Sequence, residues 1–212
     1  MFALILAFLL LPGALTAAQV SSDSGTYIIR HGNDTVATER FVRTPTKLEG
    51  TLAIRNQKQT SERYSAVIAP DLSLPLIEVT VREGVDTGSA KPRVVQRARV
   101  IFKEDSAAVD EVGENGITTR VFGTEEGAIP YLNLSFALLE HAVRKARAGP
   151  GGSQVPFFNL GGGQTLKAKL SPLGSDSLKL DIGDIRYHLR VDQSGRLLGG
   201  RIPVQDVVVE RR

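Results

Sequence analysis

The chain has 212 residues, of which 42% are hydrophobic and 23% are charged, and it contains no cysteine. This composition is that of a globular protein with one domain, and the lack of cysteine excludes disulfides, thiolate metal sites, cysteine nucleophiles and a lipid-modified N-terminal cysteine. The formal net charge is only +3, and the basic residues are interleaved with nearly as many acidic ones. This balance argues against a nucleic-acid-binding protein.

The N-terminus has the pattern of a secretory signal peptide. An apolar run at 2–11 is followed by Pro12-Gly13 and by small residues up to Ala18, and the run is shorter than the roughly 20 apolar residues that span a bilayer. We expect a signal peptide at 1–18, a mature domain at 19–212 that is periplasmic or secreted and not a lipoprotein, and no integral membrane span after cleavage. No Lys or Arg precedes the apolar run, so a short uncleaved anchor or a buried N-terminal segment remains the alternative.

From Gly25 onward, apolar and polar residues alternate with the period of a half-buried strand, and turn signals recur about every ten residues. A hairpin is predicted first, at 27–30 and 35–43 around the turn at 31–34. Further strands are predicted at 48–54, 64–68, 74–82, 93–103, 109–112, 117–122, 154–160, 164–170, 177–182, 185–191, 196–198 and 204–210. About a dozen consecutive strands with short loops predict an antiparallel meander that curls into a half-barrel or an open barrel.

One segment, 131–148, has helical periodicity instead. Leu132, Phe136, Leu139 and Val143 fall on one stripe, basic residues fill the last turns, and Gly149 follows. We predict that the apolar front of this helix packs on the concave face of the curved sheet while its tail reaches solvent. The predicted fold class is therefore mainly β, with one helix.

Two segments resemble uncharacterised secreted bacterial β domains. They are the opening GTYIIRHGNDTVATERFVR at 25–43, with Glu39 and Phe41 in its second strand, and the closing hairpin YHLRVDQSGRLL at 187–198. The resemblance implies a fold similar in layout to the LolA-type periplasmic lipoprotein carriers, a half-barrel around a helix.

The sequence shows no recognisable catalytic or cofactor constellation. His31, His141 and His188 fall in a predicted turn, helix and strand without the spacing of a common metal motif. Glu140 and His141 are adjacent on the helix and are interpreted as two surface groups rather than an acid–base pair. The glycines at 161–163 are interpreted as a turn between strands, because no helix follows them. We predict no metal and no cofactor.

Glu39 is the carboxylate of most interest. Strict alternation puts it on the same face as Ala37 and Phe41, toward the core. A buried carboxylate needs a cation or several donors, so one interpretation is a structural pair with an Arg of a neighbouring strand. The other is an acid that faces a ligand.

Two cationic stripes lie on predicted strands and are interpreted as solvated faces. The alternative is contact with anionic lipid head groups or outer-membrane polysaccharide. The first stripe is Arg97, Arg99 and Lys103, and the second is Arg186, His188 and Arg190.

These patterns favour a non-enzymatic binding or carrier module for an apolar or lipid-like ligand, by analogy of fold. The candidate ligand-binding residues are Glu39, Phe41, Leu132, Phe136 and Leu139. Expected partners are a lipid or other apolar ligand and an envelope protein, and not nucleic acid. Two alternatives remain. One is a structural or protein-interaction domain without a ligand, and the other is a hydrolase or isomerase that uses Glu39 with a histidine, such as His188, or an arginine brought close by folding.

Overall fold

The computed structural model describes residues 22–113, 116–149 and 154–212, and the predicted signal peptide lies outside these residues. The described residues form fifteen strands, one α-helix and one short 3₁₀ helix at Pro203–Gln205. The strands before the helix α1 (Phe136–Ala148) are β1 Asp23–His31, β2 Asp34–Arg43, β3 Lys47–Ile54, β4 Thr60–Val67, β5 Leu76–Glu83, β6 Arg93–Lys103, β7 Ser106–Gly113, β8 Gly116–Gly123 and β9 Ile129–Tyr131. Those after it are β10 Gln154–Asn159, β11 Thr165–Pro172, β12 Ser177–Ile182, β13 Ile185–Val191, β14 Leu197–Ile202 and β15 Val207–Arg211.

All fifteen strands belong to one sheet, in the order β8-β7-β6-β5-β4-β3-β2-β1-β15-β14-β13-β12-β11-β10-β9. Each neighbouring pair is antiparallel except β9 with β10. The first and last strands of the described residues, β1 and β15, pair with each other. The sheet therefore consists of two meanders joined by this pairing. The predicted antiparallel meander is confirmed.

The sheet is open but strongly curled, which brings its two ends together. Phe122 at the end of β8 packs against Phe158 of β10 with their ring centroids 5.9 Å apart. Gly163, in the turn after β10, has a φ of +71° and a backbone that Phe122 contacts so closely that a Cβ would collide with its ring. The glycine thus serves both the left-handed conformation and the close approach. The expectation of a curved, mainly β fold with one helix is confirmed, and the sheet is not closed into a barrel.

The helix α1 fills the concave side of the curled sheet. Every residue from Phe136 to Val143 is buried, including the polar Glu140 and His141, whereas Arg147 and Ala148 are exposed. The predicted start of the helix at residue 131 is wrong. Residues 129–131 form β9 instead, and Leu134 has a left-handed backbone with a φ of +64°, which breaks the helical path just before Ser135.

The outer face of the sheet carries most of the charge. Arg97, Arg99, Lys103, Arg186 and Arg190 are all exposed, as expected for the wet side of an antiparallel sheet. In the described part of the chain, no helix has the length and apolar character needed to cross a bilayer.

Candidate functional site

Glu39, on the inner face of β2, is completely buried against the start of α1. One carboxylate oxygen accepts hydrogen bonds from the hydroxyls of Tyr64 and Ser135, both at 2.6 Å. The other accepts from the backbone amides of Phe136 and Ala137, at 2.7 and 3.0 Å. The orientation predicted from alternation is confirmed, because Ala37 and Phe41 are buried on the same face.

This carboxylate acts as a cap for the helix. The first amides of a helix lack partners within it and favour negative charge, and Glu39 supplies both an acceptor and a charge there. The predicted arginine partner is wrong, since all four groups that donate to Glu39 are hydroxyls or amides. Burial raises the pKa of Glu39, and the four hydrogen bonds, from Ser135 first, oppose that shift.

Gly50 makes room for the Tyr64 hydroxyl to reach Glu39. The two residues are paired across β3 and β4, and a Cβ on Gly50 would collide with the Tyr64 hydroxyl and ring. Any side chain at position 50 would therefore displace Tyr64 from the carboxylate.

A second buried carboxylate, Glu140 of α1, lies one helical turn further along. One of its oxygens accepts from the Tyr27 hydroxyl at 2.7 Å, from the Leu197 amide at 3.0 Å and from Arg211 at 2.5 Å. The other lies 3.0 Å from Arg144. The prediction that Glu140 lies on the surface is wrong.

Asp23, at the start of β1, pairs with Arg144 and Arg211 and with a third arginine, Arg196. Its carboxylate accepts from Arg144 at 2.9 Å, from Arg196 at 2.9 Å and from Arg211 at 2.7 Å. We call Arg43, Arg144, Arg196 and Arg211 the arginine cluster. These four arginines share the carboxylates of Asp23 and Glu140. The carboxylate of Asp192, in the turn before β14, accepts from Ser194 and from the backbone amide of Arg196. With Asp192 counted, one positive charge is in excess.

Arg196 and Arg43 are both incompletely paired, since each has an Nε without a hydrogen-bond partner among the described residues, and Arg43 is the more deeply buried of the two. Only 7% of Arg43 is exposed, and its nearest carboxylate oxygen, on Glu140, is 3.4 Å away. Its other nitrogens contact the Ala137 carbonyl at 3.1 Å and Nδ1 of His141 at 3.3 Å. Burial lowers the pKa of Arg43.

His141 is buried as well, so the surface position predicted for it is also wrong. Because an arginine can only donate, Nδ1 of His141 accepts from Arg43, and Nε2 carries the proton and donates to the Leu72 carbonyl at 3.0 Å. Burial, followed by the charge of Arg43, lowers the pKa of His141 to about 4. The imidazole is therefore neutral at physiological pH.

The arginine cluster opens into a cleft of about 670 Å³, which we call the arginine cleft. Arg43, Arg144 and Arg196 form its cationic wall, and Pro45, Ile68 and Leu72 form an apolar wall. Its remaining lining residues are Ser22, Asp23, Thr44, His141, Asp192 and Ser194. The cleft therefore presents cationic donors and an apolar surface side by side.

Most of the predicted ligand-binding residues are used to fill the interior. Glu39, Phe41, Phe136 and Leu139 are each at most 3% exposed, and only Leu132 is partly exposed. Among the clefts at the surface of the described residues, five have volumes of about 400 to 740 Å³. Phe41 lines one of these five, and Glu39, Leu132, Phe136 and Leu139 line none of them. These candidate residues lie on the concave side of the sheet, which the helix occupies.

The structure does not bring Glu39 and His188 together. His188 lies on the outer face of β13, between the buried Tyr187 and Leu189, and contacts Arg201. His31 is exposed at the first turn, and residues 161–163 form the predicted turn between strands. Within the described residues no three His, Asp or Glu side chains form a group that could hold a metal ion.

Part of the arginine cluster could have been predicted from strand alternation and helix spacing, although composition and known motifs do not indicate it. Arg43 continues the alternation that places Glu39 and Phe41 on the inner face, so it could have been assigned to the core side. Glu140 and Arg144 have the i, i+4 spacing of an ion pair. Asp23, Arg196 and Arg211 lie far apart in the sequence and gave no local signal.

No protein-family model and no curated protein matches this sequence. The fold is similar to the crystal structure of a DUF1089 family protein from Pseudomonas aeruginosa, with a TM-score of 0.56 over 80% of this chain and 91% of that chain. The two sequences are 10% identical over this match, so the likeness concerns the fold alone.

Proposed function

We propose that this domain is a non-enzymatic binding module for a lipid-like amphiphile, and that it holds the anionic head group of that ligand in the arginine cleft. The observation that carries the proposal is the incomplete pairing of the arginine cluster, with an excess positive charge and a buried Arg43 whose Nε is unpartnered. An anionic group in the cleft would balance this charge and would meet Arg196, the most exposed of the cleft arginines, since arginine recognises carboxylate and phosphate through charge-assisted bonds.

The two walls of the cleft favour an amphiphile over a simple anion. Pro45 and Leu72 are exposed or half-buried beside the cationic wall, so an apolar chain could cover them while the head group meets Arg196. Burying apolar area contributes about 25 cal/mol per Å². Charge and apolar contact would therefore add in one ligand.

The proposed ligand binds in the arginine cleft rather than in the interior of the curled sheet. Because α1 fills the concave side, a ligand in the interior would have to displace buried Phe136 and Leu139. A ligand in the arginine cleft needs no such rearrangement. We place the carrier at the bacterial envelope, in the periplasm or outside the cell, on the strength of the signal-peptide pattern at residues 1–18.

The test uses three probes in calorimetric titrations of the purified protein. Dodecyl phosphate, kept below its critical micelle concentration, has both features, whereas inorganic phosphate lacks the chain and dodecyl maltoside lacks the charge. We expect dodecyl phosphate to bind the tightest and to weaken as salt is added, because partly exposed charges are screened. Native mass spectrometry of protein purified from a bacterial periplasm is expected to show a co-purified anionic lipid.

Two variants decide whether the cleft is responsible. Arg196→Gln removes a cleft arginine whose side chain is 42% exposed, and it is expected to weaken dodecyl phosphate binding about tenfold, equal to 1.4 kcal/mol. Arg40→Gln is the matched control, since Arg40 is exposed on the outer face of β2. The proposal would be contradicted if both variants bound dodecyl phosphate equally well. It would also be contradicted if the parent protein bound dodecyl maltoside as tightly as dodecyl phosphate.

A further inference from the structure

The two edges of the sheet differ in a way that bears on association. One edge is β9, which has three residues, contains Pro130 and is mostly buried. The other is β8, with eight residues, and nearly all of it is exposed. Proline and short length are common protections of an edge strand, whereas a long exposed edge is a template for further pairing.

The outward side chains of β8 are unusually apolar for an edge. Ile117 and Val121 lie on one face, 68% and 70% exposed, with Thr119 between them. On the neighbouring β7, Val112 is 45% exposed and is the cross-strand partner of Ile117. No backbone hydrogen bond outside the β7 ladder involves residues 117–121 among the described residues.

We propose that β8 pairs antiparallel with β8 of a second copy of this chain, with Thr119 opposite Thr119 on a twofold axis. In this register each Ile117 lies opposite Val121 of the other copy, on the same face of the joined sheet. Each Arg120 lies opposite Thr118. The strand is therefore self-complementary, as a twofold interface requires.

The charges support the same register. Arg120 is paired within its own copy with Glu111, at 2.7 Å, so no unpaired like charges lie directly opposite each other. Apolar and β-branched pairs across strands contribute roughly 0.2–1 kcal/mol each, and like charges opposite each other destabilise. Two Ile117–Val121 pairs and two Arg120–Thr118 pairs fall within the contact.

The register predicts which substitutions break and restore association. In Ile117→Lys/Val121→Lys, lysines face each other at both symmetric positions, and the dimer dissociation constant is expected to rise at least about tenfold. In Ile117→Lys/Val121→Glu, each lysine faces a glutamate of the other copy, and association is expected to return to within about threefold of the parent protein. Sedimentation equilibrium over a concentration series of the full chain measures both.

Val204→Lys is the matched control, because Val204 is 72% exposed in the 3₁₀ helix, away from β8. It should leave the dimer unchanged. A parent protein that stays monomeric, or that associates equally well in the Lys/Lys variant, would overturn the proposal, and the second result would assign association to another part of the chain. Failure of the Lys/Glu variant to recover would reject the register.

Discussion

The carboxylate of Glu39 lies 2.6 Å from the hydroxyl of Ser135, the residue that caps the N-terminus of α1. The negative charge at the start of this helix therefore comes from a strand 96 residues earlier, because the first turn of α1 has no acidic residue of its own. This carboxylate links the start of the helix to the inner face of the sheet, while Tyr27, Arg43 and Arg211 contact the helix further along.

Substitution of Glu39 should therefore destabilise the whole domain. Glu39→Ala leaves two buried hydroxyls and two helix amides without their acceptor, and we expect a loss of about 3–5 kcal/mol in the free energy of unfolding. Glu39→Gln keeps one acceptor oxygen but places an amide group against donors, so a smaller loss is expected. Urea unfolding followed by circular dichroism measures both.

Glu49→Ala is the control for Glu39, since Glu49 lies on the adjacent strand with its side chain 45% exposed. It should change stability by less than about 1 kcal/mol. Unchanged stability of Glu39→Ala would contradict a structural role and would favour a ligand-facing acid.

Gly50→Ala should disturb the same carboxylate indirectly. The added Cβ would collide with Tyr64, and overpacking of this kind costs about 1–3 kcal/mol. In a double-mutant cycle with Tyr64→Leu, the two losses are expected to be less than additive, because the smaller side chain removes the collision. Gly123→Ala is the control, since no atom lies within 4 Å of a Cβ there.

His141 should make stability depend on pH. Its folded pKa of about 4 lies below the ordinary 6.5, so between these values the unfolded chain binds the proton and the folded chain does not. The free energy of unfolding therefore has its full value above pH 6.5. It falls as the pH drops toward 4, by roughly 3 kcal/mol at most.

The comparison that isolates His141 is His141→Gln. Glutamine can donate to the Leu72 carbonyl and accept from Arg43 but does not titrate, so its stability should decline less below pH 6.5. The charges of Arg43, Arg144 and Lys145, which act on His141, are retained in the variant. The pKa of Glu39 is shifted upward rather than downward, but Glu39 is present in both proteins. Parallel pH profiles of the two proteins would exclude His141 as the source of the pH dependence.

Arg211→Met should show how far the arginine cluster stabilises its carboxylates. Arg211 donates to Glu140 and Asp23 and stacks over the Phe41 ring at 4.9 Å. Removing it leaves the buried Glu140 with Arg144 at 3.0 Å and Arg43 at 3.4 Å, both on its other oxygen. We expect a loss of about 3 kcal/mol by thermal or urea unfolding. The neighbouring Arg212 is exposed, so Arg212→Met should have little effect. Equal losses in the two variants would indicate a general effect of charge at this terminus.

The strands could be predicted because their cause is local. Alternation and turn residues define β2, β6 and β13 within a few residues of the structure. The start of α1 could not be predicted, since Leu132 and Leu134 continue the apolar pattern of the helix beyond its true N-terminus. The left-handed backbone of Leu134 and the cap from Glu39 depend on tertiary contacts.

The candidate site was predicted less completely for the same reason. Alternation was enough to turn Glu39 inward, but its partners come from β4 and from α1. The sequence predicts Glu140 and His141 to be surface groups, because adjacent residues on a helix point about 100° apart and do not form an acid–base pair. Only the curled sheet, which surrounds α1 and supplies Arg43 and Arg211, makes their burial possible.

The seam between β1 and β15 has one further consequence. Thr26 and Arg212 exchange backbone hydrogen bonds of 3.0 and 2.8 Å, so the two ends of the described chain meet in the middle of the sheet. Each meander can form from local hairpins, but the seam closes only after the last strand has been synthesised. A circular permutant, with these ends linked and new termini in the exposed segment at 84–91, would keep every strand neighbour and turn this slowest, most distant pairing into a local one.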